Sequence, residues 1–119
     1  MSVYKSIFVL FFLFFSKAGC KNGQTVQETI KVRVANNSDE SFTRVALFSM
    51  DFGGLNPGNV SDYKILDFDP FRDDSLLYCT QDDYTHSTYV QMPDKDSGNY
   101  TYSIDSIRNK LVYISIQLD

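Results

Sequence analysis

The stretch Asp96-Ser-Gly-Asn-Tyr-Thr-Tyr-Ser-Ile104, DSGNYTYSI, decides the fold. From Tyr100 onward, Tyr100, Tyr102 and Ile104 fall on one face of an extended chain, and Thr101, Ser103 and Asp105 on the other. That period of two marks a strand with one buried face. Just upstream, Pro93-Asp-Lys-Asp-Ser-Gly98 carries turn chemistry, with Gly98 at the strand entry. The same alternation appears where Ile30, Val32 and Val34 interleave with Lys31 and Arg33. Further strands are predicted over 41–49, 60–68, 75–80, 86–92, 99–107 and 111–118, seven in all. No ten-residue segment has helical spacing.

The connections agree with this reading. Asn36-Asn-Ser-Asp39, Gly53-Gly-Leu-Asn-Pro-Gly58 and Phe71-Arg-Asp-Asp74 are rich in turn formers. In the second, Pro57 presets φ at one central position and Gly58 permits the positive φ of a type II turn at the next. Phosphate binding by this Gly-rich loop would need a helix N-terminus or a lysine, and neither is in place. Seven short strands separated by regular turns predict an all-β fold, a β-sandwich.

Asp96-Ser-Gly-Asn-Tyr100 resembles the Asp-x-Gly-x-Tyr corner of immunoglobulin-like domains, in which the tyrosine hydroxyl bonds backbone a few residues upstream. Tyr102 stands where an antibody domain has its second cysteine, and the chain has no Trp. The resemblance is to the architecture: a seven-stranded immunoglobulin-like β-sandwich, with Gly98 and Tyr100 as structural residues.

The N-terminus reads as a cleaved signal segment. Lys5 gives a positive start, Ile7 to Phe15 an apolar run, and Ser16-Lys-Ala-Gly-Cys20 a nearly small-residue end. A nine-residue run is too short to span a bilayer, which takes about 20 apolar residues. Two cleavage readings compete. Ser16-Lys17-Ala18 suits ordinary signal peptidase, whereas Ala18-Gly19-Cys20 resembles the end of a bacterial lipobox. The lipid reading, preferred here, divides the chain into a lipoprotein signal peptide (1–19), a polar flexible tether (20–28) beginning at lipidated Cys20, and a folded domain (29–119). The alternative is a secreted soluble protein with a Cys20 to Cys79 disulfide, Cys79 being the only other cysteine.

Gly54, Leu55, Pro57, Gly58, Ser61 and Tyr63 fill a pattern approximating Gly-x-Leu-x-Pro-Gly-x-x-Ser-x-Tyr. Together with Gly98-Asn-Tyr-Thr-Tyr-Ser-Ile104 and a terminal apolar strand, the chain resembles small uncharacterised lipoproteins of Bacteroidota, loosely from Ile30 to Asp119 with the leader in front. That resemblance implies a lipid-anchored place in the cell envelope, at the outer membrane, and a β-sandwich. It implies no biochemical activity.

Charge narrows the partners. The 119 residues carry net charge -4, with 15 acidic and 11 basic side chains. Loss of Lys5 and Lys17 with a leader leaves 9 basic against the same 15, or -6. An acidic domain does not suit nucleic acid, which needs clustered cations. The expected partners are the membrane, through the anchor, and an envelope protein or glycan.

Four groups carry potential chemistry. Asp67, Asp69, Asp73 and Asp74 put four carboxylates into eight residues, a set that suits Ca²⁺ but lacks EF-hand spacing and glycine; Arg72 beside them favours a solvated loop. Asp82 and Asp83 are near enough in sequence to join them. Cys79 and the sole histidine, His86, lie seven apart. In one strand that spacing puts them on opposite sides, so a thiol–imidazole pair requires an intervening turn. Tyr84 and Tyr89 lie nearest to loop sequence and are candidates for an exposed binding patch. No pair of carboxylates stands out for glycosidic chemistry, and no residue set calls for a cofactor. The residues therefore point to a small non-enzymatic binding module, with a secreted hydrolase the weaker reading.

Overall fold

The structure, a computed structural model, describes residues 29–119; the leader, the tether and Cys20 lie outside the described residues. Eight strands follow in chain order: β1 (Ile30–Asn36), β2 (Phe42–Leu47), β3 (Met50–Leu55), β4 (Lys64–Ile65), β5 (Leu76–Gln81), β6 (Tyr84–Tyr89), β7 (Gly98–Arg108) and β8 (Leu111–Leu118). They form two four-stranded sheets, ordered β4-β1-β7-β8 and β3-β2-β5-β6. The described chain is all-β, and its two sheets enclose one core in the manner of a sandwich.

The period-two rows build that core. Val32 and Val34 of β1 lie beside Tyr100 and Tyr102 of β7 in a parallel pairing, so both inward rows share one face. The other pairings are antiparallel. From the opposite sheet come Phe42, Val45, Leu47, Leu77 and Cys79, all buried. Each large aliphatic side chain so placed stabilises by roughly 1.5–3 kcal/mol.

The strand count is eight rather than the predicted seven, and the extra strand comes from an unexpected reversal. Phe48 and Ser49 have φ of 53° and 67°, the left-handed region that a two-residue hairpin loop requires. Leu47 and Met50 pair across it. Neither residue favours this conformation, which costs roughly 1–2 kcal/mol per residue. Phe48 offsets that strain by burying its ring, edge-on to Tyr102 at 5.5 Å and to Phe68 at 5.7 Å. β3 then runs through residues expected in a turn. Its Gly54 allows a close approach to β2: a Cβ there would lie 3.1 Å from the Thr43 carbonyl oxygen.

The reversal falls one step later. Pro57 and Gly58 are the central residues of a turn in which the Asn59 N–H donates to the Asn56 carbonyl at 3.0 Å, with Gly58 at φ 85°. The strand predicted over 60–68 contracts to the two residues of β4. Before it, Ser61 replaces ladder bonds with its own: its N–H donates to the Val34 carbonyl at 2.8 Å, and its Oγ accepts the Val34 N–H at 2.9 Å. The strand predicted over 86–92 begins earlier, at Tyr84, because Asp82 and Asp83 form the β5–β6 hairpin loop.

At the base of β7, Tyr100 is 2 % exposed. Its hydroxyl accepts the Lys95 backbone N–H at 3.2 Å and donates to Asp94 Oδ1 at 3.1 Å. Burial, and then the Asp94 carboxylate, raise its pKa above the ordinary tyrosine value. We expect Tyr100→Phe to destabilise the protein by about 1 kcal/mol or more, since the Lys95 N–H and the Asp94 carboxylate both lose this partner. Chemical denaturation checks this; a midpoint equal to wild type removes the hydroxyl's structural role.

Candidate binding site

The sheet β3-β2-β5-β6 presents its outer face to solvent, and the residues alternating with the core row define it. Val45 and Leu47 point inward, so Arg44 and Ala46 point out; Leu77 and Cys79 point inward, so Tyr78 and Thr80 point out. Register brings them together. Arg44 lies opposite Thr80, and Ala46 lies between Tyr78 of β5 and Asp51 of β3. Thr80 in turn faces Thr85 across the hairpin. The small side chain of Ala46 leaves a depression between its larger neighbours. The result is a hollow of about 320 Å³ lined by Arg44, Ala46, Asp51, Tyr78, Thr80 and Thr85, with Ser49 at its end.

The polar groups here are only loosely engaged with one another. Arg44 Nε stands 3.8 Å from Asp51 Oδ2, and both side chains are more than half exposed. Such a surface pair contributes at most about 1 kcal/mol, so Arg44 and Asp51 Oδ2 stay available to a ligand, while Asp51 Oδ1 accepts the Gly53 N–H at 2.9 Å. The Thr80 and Thr85 hydroxyls share a 3.0 Å hydrogen bond. The wall therefore offers donors, an acceptor, two hydroxyls and an aromatic ring. No single stretch of sequence pointed to this site. Its strand residues come from β2, β3, β5 and β6, and only their common outward parity, once the hairpins are known, gathers them.

The predicted patch of Tyr84 and Tyr89 divides. Both rings are exposed, at 45 % and 82 %, but five positions along one strand is an odd spacing, so they face opposite sides of β6. Tyr84 packs edge-on to His86 at 4.7 Å, with Lys110 Nζ 5.4 Å from its ring. They do not form one surface.

The acidic loop is occupied with itself. Arg72 Nη2 donates to Asp73 Oδ2 at 2.7 Å and to the Asp67 carbonyl at 2.9 Å. The Asp69 N–H donates to Asp73 Oδ2 at 3.1 Å, while Asp69 Oδ1 accepts the Phe71 N–H at 3.0 Å. The bond from Arg72, then the Asp69 N–H, hold the Asp73 carboxyl below the ordinary carboxylate range. Asp74 turns its N–H to Ser49 Oγ at 3.1 Å. Among the described residues no group of three or more His, Cys, Asp or Glu side chains is arranged to hold a metal ion.

Cys79 and His86 are brought together, contrary to their separation in a single strand. The Asp82-Asp83 loop intervenes, and the two residues are direct cross-strand partners on the inward face. His86 Nε2 donates to Gln81 Oε1 at 2.8 Å, since the Gln81 amide nitrogen is itself committed to Glu40 Oε1 at 2.7 Å. His86 Nδ1 is buried without a hydrogen-bond partner in the structure. Proximity does not make this pair nucleophilic: Cys79 has 0 % exposure, and burial pushes its thiol up to about 12. We expect native protein to leave Cys79 unmodified by a thiol reagent at pH 8 and to react only on unfolding. Rapid native labelling, located at Cys79 by peptide mass, would overturn this.

No family model matches the chain, and comparison with curated proteins and with solved structures yields no match to either.

Proposed function

We propose that this chain is a non-enzymatic module of the cell envelope: an immunoglobulin-like sandwich held at the membrane by lipidated Cys20, which binds a hydroxyl-rich ligand, a glycan, on the outer face of the sheet β3-β2-β5-β6. The hollow around Ala46 carries the reading. A sugar presents hydroxyls that both donate and accept, and ring faces of C–H groups. Arg44 meets the first need as donor, Asp51 as acceptor, and the Tyr78 ring offers a flat apolar partner. The inaccessible thiol of Cys79 and the self-paired acidic loop support a binding role over hydrolysis. The burial of Cys79 also supports the lipid for Cys20, because a disulfide would have to reach into the core.

Two experiments test this. For the anchor, fatty-acid labelling and fractionation should find wild-type protein labelled and in the membrane, and Cys20→Ser unlabelled and released. A soluble, unlabelled wild type beginning at Gly19 would show that Ser16-Lys17-Ala18 directs cleavage. For the ligand, a panel of soluble plant, host and bacterial oligosaccharides is titrated calorimetrically. Arg44→Ala should weaken the best binder about tenfold or more, as loss of a charged hydrogen bond does, and Tyr78→Ala should weaken it too, by removing the ring face that packs on the sugar, with Tyr84→Ala unchanged. Binding that survives both substitutions, or a panel without binders, would refute the glycan site.

A further inference from the structure

The strand β8 is an unprotected sheet edge. It ends the order β4-β1-β7-β8, so along its eight residues one row of backbone N–H and C=O groups has no strand partner among the described residues. Sheet edges are ordinarily blunted by charge, proline, a bulge or brevity. At the opposite edge β4 uses brevity, with two residues. β8 uses none of these. Leu-Val-Tyr-Ile-Ser-Ile-Gln-Leu, residues 111 to 118, has no charge and no proline, and the register shift of the β7–β8 pair falls between Ile104 and Ser106, on β7. Its inward row is also incompletely covered: Ile114 and Ile116 are half-buried and Leu118 is 45 % exposed. Two shallow hollows follow that row, one beside Tyr89 and Val90, the other beside Met92 and Pro93.

We propose that β8 pairs antiparallel with β8 of a second copy of this chain, joining two sheets into one across a two-fold axis. Charge selects this occupant and this direction. The hairpin tip that precedes the strand carries Arg108 and Lys110, whereas Asp94 and Asp119 stand at its other end, Asp94 bonded to Tyr100 with Lys95 beside it, and Asp119 partly balanced by Arg33 at 3.9 Å. Antiparallel self-pairing sets each basic tip against the partner's acidic end; parallel pairing would set like against like. The faces agree as well. A two-fold axis perpendicular to the sheet keeps both inward rows on one side, so Val112, Ile114 and Ile116 of one copy extend the same row of the other. The seam itself brings no charges together. Edge pairing alone buries less than the roughly 1,200 Å² of a standard interface, so the dimer is a weak one.

Sedimentation velocity tests the proposal on the full-length chain carrying Cys20→Ser, so that no acyl chain drives association. Monomer should convert to dimer as concentration rises from about 10 μM to about 1 mM, the range fitting so small an interface. Tyr113 and Ser115 are exposed on the outer face of β8. In the two registers of fullest overlap that keep the inward rows together, they lie opposite the partner's residues 113, 115 or 117. Tyr113→Glu with Ser115→Glu should therefore abolish the dimer, as should Tyr113→Lys with Ser115→Lys. Mixing the two variants should restore association, which misfolded chains would not do, and far-UV spectra should stay β-type throughout. A protein that remains monomeric up to 1 mM overturns the proposal, as does a dimer that survives the Glu pair or a mixture that fails to associate. Capture of an extended peptide from a different protein at β8, without self-association, likewise overturns it.

Discussion

One buried amide joins the two sheets. Asn36, at the end of β1, has 0 % exposure and uses its side chain completely. Nδ2 donates to the Glu40 carbonyl at 2.7 Å and to the Leu55 carbonyl at 3.1 Å; Oδ1 accepts the Ser38 N–H at 3.0 Å and the Ser38 hydroxyl at 2.6 Å. Its backbone is engaged too, the N–H donating to the Asn59 carbonyl and the C=O accepting the Gly58 N–H. Each of these partners fixes something different. Glu40 leads into β2, Leu55 ends β3 in the opposite sheet, and Gly58 is the turn that returns the chain toward β4. A buried amide with every position filled is strongly directional, and each bond left unmade would cost about 1–3 kcal/mol. The hydrophobic rows hold the sheets together; Asn36 helps to set how they are aligned.

A second polar tie works from the other end. Tyr102, also at 0 % exposure, sends its hydroxyl to the Gln91 carbonyl at 2.7 Å while its ring meets Phe48 edge-on. That contact helps to keep Phe48 in the left-handed conformation which creates the β2–β3 hairpin. The hairpin in turn places Asp51 beside Ala46. The geometry of the outer hollow thus depends on a tyrosine whose own side chain lies wholly within the core.

Much of this was legible from residue order, and the failures have particular causes. Alternation located β1, β7 and β8, because a strand with one dry face must repeat every two residues. Pro57 and Gly58 announced their turn because each carries its preferred φ in its covalent structure. Phe48 and Ser49 announced nothing: their conformation is imposed by tertiary burial, and neither residue type favours positive φ. The Asp82-Asp83 loop was hidden among other aspartates, and with it the inward pairing of Cys79 with His86. Tyr84 and Tyr89 were correctly read as exposed, yet their odd spacing already ruled out a shared face once both lay in one strand. Arg44, Asp51 and Tyr78 gave no signal, since sites assembled from outward positions of several strands depend on register.

The two outer faces differ in how far their polar groups are already satisfied, and that difference is what favours one sheet over the other for the proposed site. On the sheet containing β1 and β7, Arg33 Nε donates to Thr101 Oγ1 at 2.9 Å, and the guanidinium lies 4.6 Å from the centre of the Tyr63 ring. Thr101 and Tyr63 both donate to Asp119 Oδ2, at 2.7 and 2.6 Å. Burial draws the Asp119 carboxyl upward, but the bonds from Tyr63 and Thr101 and the charge of Arg33 outweigh it and hold its pKa below the ordinary carboxylate value. A ligand binding there would have to break short bonds already made, and its net gain would be small. On the other sheet, Arg44 and Asp51 face one another at 3.8 Å, solvated and weakly paired. A ligand's hydroxyls that took up these solvent-facing donors and acceptors would disrupt little in the protein, so more of the new contact energy would appear as affinity. The same residue types are therefore structural on one face and available on the other, and what separates them is whether the fold has already satisfied their hydrogen bonds.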